Sequence, residues 1–135
     1  MGESIIEVSP QAEEFQLCFP NDWKKATGHR VKVNDFQFSA VPVTDKIIVS
    51  EISSGARFFE TPIPKEVKDF ESTMTFLEIS IGARILMIIK KLGEEVMQKE
   101  VRRLTEFAVK ECGEQPPITK VDTEWLKEDI SDTLH

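Results

Sequence analysis

Apolar positions along the chain follow two periods, and the change falls near Pro62 to Pro64. Before it, short runs rich in Phe, Val and Ile alternate with polar residues and are punctuated by Gly, Pro, Asn and Asp, which is the pattern of strands and turns. Phe15, Leu17 and Phe19 alternate with Gln16 and Cys18, so residues 14–19 read as a half-buried strand ending at Pro20. Val31 and Val33, then Phe36 and Phe38, mark two further runs with Asn34-Asp35 as the bend between them. Pro42 has no N–H to give to a ladder, which suits a strand end or an edge.

The segment from Ile47 to Ile63 predicts a hairpin about Ser53-Ser54-Gly55, with Gly55 at the left-handed position that closes a three-residue loop. That loop length places Val49 opposite Phe59, Ile47 opposite Thr61, and Glu51 opposite Arg57 as an exposed ion pair beside the turn. Ligand binding by Arg57 is then secondary to that pairing.

Beyond Pro64, Val67, Phe70, Met74, Leu77, Ile81, Ile85, Ile88 and Leu92 recur at spacings of three and four, which aligns them on one helical face. Thr75 with Glu78 three residues later forms a possible capping box, predicting a short helix over 65–71 and a longer one from about Thr75; one unbroken helix is the alternative. Ile79, Leu86, Met87 and Ile89 widen the stripe until the helix should be buried on more than one side. Gly93 coincides with a phase shift, so a second helix is expected over about Glu94 to Cys112, ended by Gly113 and Pro116-Pro117. In the tail, Asp122 or Thr123 can cap a short helix to about Asp129, with Trp125, Leu126 and Ile130 as its apolar contacts.

Strands first and helices afterwards give an α+β fold: a small, mainly antiparallel sheet from the N-terminal half (about 1–63) packed against two or three C-terminal helices (about 64–135), in a single domain over 1–135. The 135 residues suffice for one core, and 40% apolar with 30% charged residues is a globular composition. The best membrane candidate, residues 75–89, is short for a span and contains Glu78 and Arg84, and no secretory signal opens the chain. A cytoplasmic, membrane-free protein is the expectation.

A net charge of −7 argues against broad nucleic-acid binding, which depends on cations displacing phosphate counterions. Basic residues nevertheless cluster at Lys24, Lys25, Arg30 and Lys32. Around Gly28, Trp23 with Lys25, His29 and Arg30 combines a flat aromatic surface with cations, the components of a contact for phosphate or an acidic partner. Asn21 or Asp22 could instead cap a helical turn that carries Trp23 into the core. Arg57 joins the cluster if the two turns lie at one end of the sheet.

Catalytic stock is thin. His29 and His135 are the only histidines, and no GxSxG, HExxH, EF-hand or P-loop pattern is present. Cys18 and Cys112 have no CxxC neighbour and read as small packing residues. No catalytic residue, metal site or cofactor is therefore assigned. The leading expectation is a non-catalytic interaction or regulatory protein that binds a protein partner or itself as a homodimer, because the 74–92 helix has more apolar surface than one small sheet covers. Nucleic-acid or anion binding through Trp23 to Lys32, and an enzyme with a carboxylate-lined pocket, are the alternatives.

Overall fold

The computed structural model describes residues 4–19 and 22–121. The expected tail helix with Trp125 lies outside the described residues. Six strands form one antiparallel sheet: β1 (Ile6–Phe19), β2 (Asp22–Val33), β3 (Phe36–Val43), β4 (Lys46–Glu51), β5 (Arg57–Pro62) and β6 (Thr119–Lys120), in the order β5-β4-β3-β2-β1-β6. Helices follow: α1 (Phe70–Phe76), a π-helical segment (Leu77–Gly82), α2 (Ala83–Leu92) and α3 (Glu94–Cys112). The fold is α+β, with the sheet and helices in the chain halves that periodicity indicates, except that β6 comes from the C-terminal half.

β1 is more than twice as long as the alternation at 14–19 suggests. Its first half carries Pro10, and the pairing with β2 shifts register between Val8 and Ala12, so the proline falls in a bulge where no ladder N–H is needed. Pro42 likewise lies past the last β2 pair, His29 with Ala40, as a strand end should. Asn34, at a positive φ of 55°, makes the expected bend between β2 and β3.

The residues about Gly28 are not a turn, and Trp23 is not on a helical turn; Asp22 to Val33 is one strand. The β1–β2 arm then curls across the sheet. Two strands lie between β1 and β4, yet the Cys18 N–H donates to the carbonyl of Gly55 in the β4–β5 turn at 3.0 Å.

In the β4–β5 hairpin, Val49 faces Phe59 and Ile47 faces Thr61, as the three-residue loop requires, and Gly55 has φ of 64°. Beside the turn the register slips, and Ser50 rather than Glu51 faces Arg57. The expected Glu51–Arg57 ion pair is absent. Glu51 is instead 5% exposed, its carboxylate accepting the backbone N–H groups of Ser53 and Ser54 at 3.0 and 2.8 Å and the Ser53 hydroxyl at 2.7 Å. An inward carboxylate needs such donors to offset its lost hydration, and an unpaired turn supplies them. Arg57 turns to Glu60 at 3.2 Å.

The helix starts at Phe70, earlier than the capping pattern at Thr75 implies, and the separate short helix expected over 65–71 is not formed. Asp69 is the N-cap, accepting from the Ser72 N–H at 2.8 Å and completing a capping box with Ser72, and the helix then runs unbroken from Phe70 to Leu92. The Ser72 donors hold the Asp69 carboxyl below the usual carboxylate range. Leu77, Ile81, Ile85 and Ile89 form its buried line, joining Val31, Val33, Phe36, Phe38, Ile47 and Val49 in the core. Their constant spacing of four overshoots a turn of regular α-helix by about 40° per step, about 120° over three steps. The wider π turn winds less per residue and removes much of that drift. Consequently Ile89, at 1% exposure, takes the core place that regular periodicity gives Ile88, and Leu92 is left 46% exposed.

Gly82 closes the π segment against β1: a Cβ there would lie 2.5 Å from Ile6 Cγ2. Gly93, at φ of 92°, ends α2 and starts α3, which matches the expected second helix at both ends. α3 passes the β4–β5 turn, where the Thr105 and Ser53 hydroxyls are 3.0 Å apart, and reaches the tip of the β1–β2 arm.

Candidate interaction surface

The five residues singled out from the sequence do not converge on one ligand. His29 and Arg30 are consecutive in a strand and point to opposite faces. His29 Nδ1 lies 3.0 Å from the Ser9 carbonyl and its ring meets Phe70 edge-on, on the helix side. Arg30 holds Glu13 in a bidentate pair at 2.7 and 3.1 Å, and its guanidinium lies 6.0 Å from the centre of the Phe15 ring. Lys25 stands 3.9 Å from Glu14 at the surface. The Trp23 indole N–H donates to the Gly113 carbonyl at 3.1 Å, and its ring packs on Gly55. Trp23 thereby joins the arm to the β4–β5 turn, but Arg57 is committed to Glu60.

Two of the surface recesses among the described residues are the larger ones. One, of about 320 Å³, is mainly apolar and lies under the start of α1, walled by His29, Pro42, Ile47, Ile63 and Thr73 with Asp69 at its edge. The Asp69 carboxylate there is engaged in capping. The other, of about 550 Å³, lies between the β2–β3 bend and Gly93 and is lined by Lys32, Asn34, Asp35, Lys90 and Glu94. Among the described residues, no three His, Cys, Asp or Glu side chains are grouped to hold a metal ion.

The outer face of the helix Phe70–Leu92 is left unexplained by the core. This is the one described helix long and apolar enough to cross a membrane by length and composition, and only 28% of its most apolar window is buried. The core line takes Leu77, Ile81, Ile85 and Ile89. A second line of the same spacing runs opposite it: Glu71, Thr75, Ile79, Ala83, Met87 and Lys91. Ile79 is 64% and Met87 71% exposed, with Ala83 half-buried between them. The π turn acts on both lines alike, so the exposed line loses the same amount of drift as the buried seam. The outer line is apolar in its middle, acidic at its first position and basic at its last.

Arg84, one position beyond this line, lies over the Phe59 ring at 4.2 Å and fastens the helix to β5. The widened apolar stripe is evident in the sequence; that half of it faces outwards is not, because periodicity alone does not say how many sides a sheet will cover. Compared with known proteins, the chain matches no family model, no curated protein and no solved structure.

Proposed function

We propose that this is a non-catalytic protein-interaction chain that associates with a second copy of itself through the outer line of the helix Phe70–Leu92. The observation that supports the reading is the order of residues on that line. A two-fold axis passing the outer face midway between Ile79 and Ala83 sets two such helices antiparallel, and the line then meets its own reverse: Glu71 faces Lys91, Thr75 faces Met87, and Ile79 faces Ala83. Large residues fall against small ones, and opposite charges meet at each end. A helix face that is complementary to itself in shape and sign fits a symmetric partner better than an unrelated one. Covering Ile79 and Met87 removes apolar area from water, while the end charges fix register and direction at the rim.

Light scattering and sedimentation of the purified chain test the proposal. A concentration-dependent dimer is expected, with Ile79→Asp or Met87→Asp raising the dissociation constant at least about 100-fold by burying an unpaired carboxylate. Glu71→Lys should weaken the dimer several-fold, and Glu71→Lys with Lys91→Glu should restore it. A monomer throughout the micromolar range overturns the reading, as does a monomer that instead floats with phospholipid vesicles.

A further inference from the structure

The only two cysteines of the chain are 94 positions apart, and the fold places them side by side. Cys18 is the second-last residue of β1 and Cys112 the last of α3, and their sulfurs are 2.7 Å apart. Their backbones are held independently of the sulfurs. The Cys18 N–H donates to Gly55 O at 3.0 Å, and the Trp23 indole donates to the residue after Cys112 at 3.1 Å. The Cys112 thiol itself reaches the Asp22 carbonyl at 3.4 Å. Both cysteines are half-buried, so a small reagent can approach the pair. Less than about 1 Å of movement separates this contact from the bonded distance of about 2.05 Å.

We propose that Cys18 and Cys112 are a redox-responsive dithiol that closes to a disulfide and fastens the end of α3 to the β1–β2 arm. The oxidant is a small-molecule disulfide of the glutathione type. The Cys112 thiolate attacks one of its sulfurs, so that a mixed disulfide forms and one small thiolate leaves and takes up a proton. Cys18 then gives up its proton and attacks Cys112 Sγ. The protein disulfide forms, the mixed disulfide breaks, and the second small thiol leaves. Two protein thiols have been oxidised and one small disulfide reduced to two thiols.

The order of attack follows from the surroundings. Burial, then the hydrogen bond and charge of Cys112 and the charge of Glu111, push the Cys18 thiol up to about 12, so Cys18 is the poorer first nucleophile. Capture of Cys112 as a mixed disulfide removes that residue's charge and hydrogen bond, two of the influences that raise Cys18, while burial, the largest, remains.

The test uses the full chain, reduced and then equilibrated with graded ratios of reduced to oxidised glutathione, quenched in acid and read by intact and peptide mass. The expected product is two hydrogens lighter and links the Cys18 and Cys112 peptides within one chain. Its effective concentration should be at least about 100-fold higher in the folded chain than in concentrated urea. The melting temperature should rise on the order of 10 °C on closure. Cys18→Ser should trap glutathione on Cys112, and Cys112→Ser should take up glutathione at least about 10-fold more slowly. Glutathione on both cysteines, linkage between two chains, or linkage no more favourable in the folded than in the unfolded chain overturns the proposal.

Discussion

Glu51 shows what a single side chain decides. From its neighbours in sequence it reads as the acidic half of a surface ion pair, yet it is buried and organises the turn through the Ser53 and Ser54 N–H groups. A one-residue slip of register is enough to exchange the two roles, because neighbouring positions of a strand face opposite sides. Glu51→Ala leaves two turn donors without an acceptor, and urea unfolding should show a loss of about 3 kcal/mol. Arg57→Ala removes only an exposed contact with Glu60 and should cost less than about 0.5 kcal/mol. Similar losses for the two variants would mean that the ion pair seen in the sequence matters after all. Trp23, Lys25, His29 and Arg30 carry the same lesson: chemistry was visible in the residue types, but each one's partner is set by strand direction and by segments far away in the chain.

At the scale of elements, the helix Phe70–Leu92 was legible as an apolar helix with a break at Gly93, but its winding was not. A run of side chains spaced by four is close enough to 3.6 that a regular helix also accounts for it over two turns. Contact with the sheet selects the π turn, and Gly82 lets it approach β1. Gly82→Ala places a methyl 2.5 Å from Ile6 Cγ2 and should destabilise the chain by about 1–3 kcal/mol. Ile6→Ala, made in the same background, should recover part of that loss. Strictly additive effects in the double-mutant cycle would place the strain elsewhere. The short β6 had no signal of its own, because two residues, Thr119 and Lys120, are too few to show a period and are strand only through Glu13 and Glu14.

For the whole molecule, a sheet packed against its helices and closed over by its own β1–β2 arm leaves the outer line of the helix Phe70–Leu92 without a cover. If that line is closed by a second copy, stability is linked to association, and the melting temperature should rise with protein concentration. The concentration dependence should vanish in Ile79→Asp, and added salt should weaken the wild-type dimer by screening the Glu71–Lys91 contacts. A melting temperature that is constant from low to high micromolar protein would separate the fold from any self-association.

The sequence by itself determined the α+β order of elements, the hairpin with Gly55 at its turn, the break at Gly93 and the end of α3, because each is dictated by local periodicity or by one residue's backbone preference. Tertiary structure alone decided that the β1–β2 arm curls back, that Glu51 turns inwards, that the helix winds through a π segment, and that Cys18 meets Cys112. Those features depend on which surfaces come into contact, and burial and pairing energies between distant segments outweigh the few tenths of a kcal/mol of local preference from which a sequence is read.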